Sequence, residues 1–173
     1  MRFGPALLLC ALLPATARAA GHGETAVSGG PGLAVLVAGA TQVGVAGDLR
    51  LLRGLSDSWS ARLGLEAAWL PSTDERPATR LSAGALGLTV AADVLSLVPF
   101  ADFGVVVADL RSAGLAAQQR VGGELTLGAD YLAGRHVTLS VLGRVDYFAL
   151  RLAGAHGPRP VLVVLALALG YVF

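Results

Sequence analysis

The sequence predicts an all-β fold: an eight-stranded antiparallel up-and-down barrel that crosses a membrane, preceded by a cleaved signal peptide. Three observations predict it. At the end of the chain Leu165, Leu167, Leu169, Tyr171 and Phe173 fall on every second position, and a strand turns alternate side chains to one face. Termini usually fray in water, so such an apolar strip suits a lipid solvent. The second observation is composition. Apolar residues make up 54% and charged residues 14%, with a mean hydropathy of +0.66, whereas soluble domains carry about 25% charged residues. The third is that no apolar stretch reaches helical span length. The longest, residues 161–173, is bounded by Pro158 and Pro160, and a spanning helix needs about 20 residues. Backbone groups in hydrocarbon must pair internally, which leaves the closed barrel.

The N-terminus reads as a secretory signal over residues 1–19. Arg2 supplies a basic start, residues 6–13 an apolar run, and Ala17-Arg18-Ala19 a small-x-small cleavage site. The only cysteine, Cys10, lies in that run behind Leu9, where a lipid-anchored chain would want a small residue. The mature chain is therefore expected to hold no disulfide, thiol ligand or cysteine nucleophile. A Gly-rich leader is predicted over residues 20–31 and one barrel domain over residues 32–173. The net charge of +1 gives no case for nucleic acid. All 13 basic residues are arginine, and the chain contains no Lys, Asn or Ile, a pattern that fits GC-rich coding rather than chemistry.

Each strand follows from its own alternation. The first lies within residues 32–40 or begins earlier. In the second, Val43, Val45, Leu49 and Leu51 oppose Gln42, Asp48 and Arg50. The third is the clearest: Trp59, Ala61, Leu63, Leu65, Ala67 and Trp69 form one apolar face, and Arg62 and Glu66 lie on the other. At about 3.3 Å per residue and a tilt near 40°, the two Trp stand roughly 25 Å apart along the barrel axis, the separation of two aromatic girdles. Turning this strand over would put Arg62 in lipid at about 2–4 kcal/mol. Residues 81–90 carry Ala and Leu on both sides, so a bulge is predicted in the fourth strand. In the fifth, Ala101, Phe103, Val105 and Val107 oppose Asp102 and Gly104. In the sixth, Val121, Leu125, Leu127, Ala129 and Tyr131 oppose Glu124, Thr126 and Asp130. In the seventh, Val137, Leu139, Val141, Val145 and Tyr147 oppose Thr138, Ser140, Arg144 and Asp146. The eighth has an uncharged inner face from Leu162 to Val172, which predicts a dry, narrow interior beside it.

Short connections are predicted at residues 54–58, at 93–98 closed by Pro99, and at 132–135. Longer or more polar ones are predicted at 71–77, 111–119 and 154–160. This alternation is the barrel habit of external loops and tight periplasmic turns, with both chain ends in the periplasm. An eight-stranded interior is just wide enough for side chains to fill, so no open channel is expected.

The signal peptide, the amphipathic strands and the ending Leu169-Gly170-Tyr171-Val172-Phe173 together resemble small outer-membrane barrels of the kind represented by OmpX and the transmembrane domain of OmpA. The resemblance covers about residues 32–173. It implies an outer-membrane location, surrounding lipid and the barrel-assembly machinery as partners, and an assembly signal in Leu165, Leu167, Leu169, Tyr171 and Phe173. A monomer is expected, with no appended peptidoglycan-binding domain. Trp59, Trp69, Tyr131, Tyr147 and Tyr171 are the predicted aromatic girdle residues.

The candidate site is the lumen. Its predicted inward charges are Asp48, Arg50, Arg62, Glu66, Asp102, Glu124, Asp130, Arg144 and Asp146. Buried charge is tolerated when paired, so an ion-pair network is expected, in a protein with a structural envelope role and no catalysis. The alternative is a narrow pore or carrier for small solutes, since six acids face three arginines. Arg80, Arg120 and His136 are neighbours available to balance that excess. A lipid A-modifying enzyme is a third reading, because lipid A deacylases use a His-x-Ser pair with a carboxylate. Here the counterpart is His136-Val137-Thr138, with Ser140 and Asp146 nearby. His136 and Thr138, two apart, are read as sharing the inward face close to the periplasmic rim. A soluble secreted barrel that binds a ligand is the fourth reading. His22, Glu24 and His156 read as solvated loop residues. Without zinc spacing, a phosphate loop or a triad, no metal, cofactor or catalytic residue is expected.

Overall fold

The computed structural model describes residues 22–92, 96–154 and 158–173. The predicted signal peptide, Cys10 and His156 lie outside them. Eight strands form one closed antiparallel barrel in sequence order: β1 Thr25–Val37, β2 Thr41–Gly54, β3 Trp59–Leu70, β4 Thr79–Ala91, β5 Leu97–Ser112, β6 Gln118–Leu132, β7 Val137–Ala153 and β8 Val161–Val172. The all-β, eight-stranded antiparallel class is as the sequence predicts.

β1 starts at Thr25, not at residue 32, so much of the predicted leader is strand. Gly29, Gly30 and Pro31 have poor strand propensity; an unbroken ladder to β2, and pairing with β8 on either side of Gly30 and Pro31, override it. Thr25 opposes Arg53 of β2, and Ala26 opposes Val172 of β8. This β1–β8 seam closes the cylinder and leaves no sheet edge. The seam is tight at Gly30, where a Cβ would sit against the Leu167 carbonyl oxygen and 2.9 Å from Ala168 Cα.

The bulge predicted in β4 is not there. β4 pairs without a break from Thr79 to Ala91 along β5, and from Thr79 to Val90 along β3. Its pattern reads as a phase switch because both faces are apolar. Leu81 and Ala85 pack inside, while Leu86 and Leu88 point out. The register shifts lie instead between β6 and β7, around Gln119–Gly123. There Gly122 passes so near the Tyr147 carbonyl that no side chain fits, as bulges require of a crowded backbone. Pro99 falls inside β5 rather than closing the turn before it, and the loop expected over residues 111–119 shrinks because β5 and β6 run on into it.

The outward faces carry the large apolar residues: Leu33, Val43, Leu49, Leu65, Val105, Leu127, Val141, Leu165 and Leu167 are all exposed. Trp59, Trp69, Tyr131, Tyr147 and Tyr171 also face out. Trp59, Tyr131 and Tyr171 lie at the end with the short turns, and Trp69 and Tyr147 toward the other. Ordinary soluble domains do not present a continuous apolar belt of this kind. Inside, Leu36, Leu70, Leu81, Val98, Val106, Phe148, Leu162 and Val164 form a hydrophobic cluster. The inward side of β8 is largely small, with Ala166, Ala168 and Gly170, and so leaves room for long side chains from the opposite wall.

Candidate functional site in the barrel lumen

Adjacent strands place like charges directly opposite each other. Asp48 of β2 pairs in register with Glu66 of β3, and Glu124 of β6 with Asp146 of β7. Such pairs are unfavourable alone. Two arginines resolve them by reaching across the lumen. Arg144, on β7, contacts Asp48 at 3.6 Å and Asp146 at 3.5 Å, and also bridges to Glu66. Arg62, on β3, contacts Glu124 at 2.6 Å and Asp102 at 3.7 Å. Arg50 meets Asp102 at 3.4 Å and lies over the Phe100 ring at 4.9 Å. Thr126 donates to Glu124 at 3.1 Å. All of these charged residues are buried.

The lumen thus contains two cross-braces running between opposite walls, with buried Phe148 beside them. Eight of the nine predicted inward charges join this network. Asp130 does not: it is half-buried near the short-turn end, opposite Ser140. It lines a small cavity with Ser28, Ser60, Thr89, Ser140 and Arg50. Ser28 Oγ and Thr89 Oγ1 have no hydrogen-bond partner there.

At the other end Gln42 is fully buried and donates to the carbonyls of Pro71 and Pro77 at 3.2 and 2.9 Å. Thr79 donates to Gln42 at 3.1 Å and lies 2.8 Å from Ser112. These bonds tie both ends of the β3–β4 loop to the buried Gln42 side chain.

The residues expected to balance the acids do not do so. Arg80 points outward beside Trp69, because β4 keeps one phase throughout. His136 also faces out, with its ring stacked on Tyr171 at 5.5 Å and Nδ1 2.9 Å from the Val172 carbonyl. It precedes β7 rather than belonging to it, so the two-residue rule linking it to inward Thr138 does not apply. The proposed His–Thr pair is therefore split between the two sides of the wall. Arg120 does face inward, but it donates to Gln118 at 2.9 Å and opposes Arg151.

Phe148, Phe100 and Arg151 complete the interior and were not singled out from the sequence. Phe148 was within reach of the pattern, since it continues the inward phase of Arg144 and Asp146. Among the described residues, no group of three or more His, Cys, Asp or Glu is placed to hold a metal ion.

No family model and no curated protein matches the chain. Solved structures with a similar fold include Neisserial surface protein A, with TM-score 0.68 and 12% identity over 87% of this chain and 99% of that one. OprG of Pseudomonas aeruginosa gives 0.62 and 15% over 88% and 98%. The attachment invasion locus protein Ail of Yersinia pestis gives 0.60 and 10% over 88% and 99%. At these identities the likeness is one of fold, and it does not single out OmpX or OmpA. The chain is an eight-stranded antiparallel barrel that resembles known outer-membrane barrel proteins.

Proposed function

We propose that the protein is a monomeric, integral outer-membrane barrel with a structural role in the envelope, and that its lumen is closed to solutes. The observation that carries this reading is the inverted distribution of polarity. Large apolar side chains cover the outside, while Arg62 and Arg144 tie carboxylates together across the inside. In a bilayer the belt meets acyl chains, and the girdle residues Trp59, Trp69, Tyr131, Tyr147 and Tyr171 sit at the two interfaces. The strip from Leu165 to Phe173 serves assembly.

Planar-bilayer recording tests the closed lumen. The expected result is no conductance in any of several salts. Discrete openings of the unaltered protein would overturn it. The membrane placement has its own test: extraction of the mature chain by carbonate without detergent would remove it.

A narrow solute path is the second reading. The cavity at the short-turn end favours it, because Asp130 stands there outside the ion-pair network among unpartnered hydroxyls.

A further inference from the structure

We infer that the outer wall between β2 and β5 carries a binding site for an anionic, phosphate-bearing lipid of the outer leaflet, with Arg80 and Arg111 as its headgroup contacts and Trp69 at its edge. The inference rests on the membrane placement proposed above. Arg80 and Arg111 are directly opposed on β4 and β5, on the same outward face. Like charges placed this way repel. Asp109 answers only one of them: it accepts from Arg111 Nε and Nη2 at 2.9 and 2.7 Å. Among the described residues Arg80 has no hydrogen bond or ion pair. Of Arg80, Arg111 and Asp109 one positive charge is left over, on Arg80, whose register partner on β3 is Trp69; the adjoining β3–β4 loop adds Asp74, Glu75 and Arg76.

Trp69 sets the height. Under the girdle spacing it marks the headgroup level at the loop end, where the phosphates of outer-leaflet lipid lie. Arginine suits such a group because its planar fork donates two parallel hydrogen bonds to phosphate oxygens.

Below the arginines the wall has a shallow, open depression. It is lined by Val45, Gly47, Ala67, Trp69, Arg80 and Ser82. Gly47 and Ala67 are register partners, as are Ala67 and Ser82. They form a floor two residues nearer the middle of the wall, roughly 5–7 Å along the strand. A Cβ at Gly47 would meet no atom within 4 Å, so packing within the chain does not require glycine there. A phosphate on the arginines would place the first methylenes of its lipid over this floor.

The test uses the full mature chain with Trp59→Phe, which leaves Trp69 as the only tryptophan. It is reconstituted in phosphatidylcholine vesicles containing, at equal mole fraction, either brominated phosphatidylglycerol or brominated phosphatidylcholine. Bromine quenches a tryptophan it touches. The expected result is an enrichment of the anionic lipid at Trp69 of about fivefold, the scale that one arginine near an anionic headgroup supports. Arg80→Gln should bring the two lipids to near parity. Gly47→Leu, which fills the depression, should lower quenching by the anionic lipid. Both variants should keep the migration difference between unheated and heated samples, which separates loss of the site from loss of the fold. Equal quenching of the unaltered Arg80 protein by the two lipids would overturn the site and leave the membrane placement standing. No quenching by either would overturn both.

Discussion

Arg144 contacts carboxylates from three strands, Asp48, Glu66 and Asp146, so its removal differs in kind from removal of a surface arginine. Desolvating a charge costs several kcal/mol, and that cost is offset only while a partner is present. Arg144→Ala would leave three buried acids facing one another. We expect a loss of about 3–5 kcal/mol, read as a lower urea midpoint for unfolding from lipid vesicles. Replacing the whole cluster together (Arg144→Met, Asp48→Asn, Glu66→Gln and Asp146→Asn) should recover most of that loss, because no orphaned charge remains. Arg111→Ala is the control. Its pair with Asp109 is largely solvent-exposed, and an exposed pair contributes about 0–1 kcal/mol. If Arg144→Ala cost no more than Arg111→Ala, the bracing role of Arg144 would be wrong.

The β1–β8 seam makes a corresponding demand on a whole strand. Closure brings β1 so near β8 that Gly30 has no room for a Cβ. Gly30→Val should therefore disrupt closure, at about 1–3 kcal/mol or more of overpacking cost, seen as loss of the migration difference between unheated and heated samples after refolding. Gly47→Ala, with open space at its Cβ, should refold like the parent. The contrast also shows which strands the sequence could disclose. β3 and β7 carry charge on one face only, and β2 does so up to Arg50, so their phase was readable residue by residue. β4 carries Ala and Leu on both faces over residues 81–90, so alternation there suggests a bulge that its unbroken register does not have. β1 is rich in Gly and Pro, and its first half became strand only because two neighbours pair with it. The true irregularity, between β6 and β7, depends on backbone crowding at Gly122, which alternation does not encode. His136 was misplaced for a related reason: the two-residue rule holds within a strand, and His136 lies just before one.

For the molecule as a whole, closure converts local alternation into a lumen. The inward identity of Asp48, Arg62, Glu124 and Arg144 was legible from single strands. Their partners were not, because Arg62 on β3 meets Glu124 on β6, and Arg144 on β7 meets Asp48 on β2. Those contacts exist only once the sheet is curled shut, so sequence spacing says nothing about them. Closure also settles what exposure means. Leu65 is 54% exposed at the middle of β3, between Arg62–Glu66 of the inner face and the two Trp of the outer. On a barrel surrounded by water, Leu65→Arg would be nearly neutral, as most surface changes are, within about 0.5 kcal/mol. On a barrel surrounded by lipid the same change puts a guanidinium near the midplane and costs about 2–4 kcal/mol. Ser58→Arg, at an exposed position in the short turn between β2 and β3, should cost little in either setting. Equilibrium unfolding of both variants from phosphatidylcholine vesicles separates the cases. A large penalty confined to Leu65→Arg is expected. Equal, small effects at the two positions would mean that the apolar belt faces something other than acyl chains, and the structural envelope role proposed here would lose its basis.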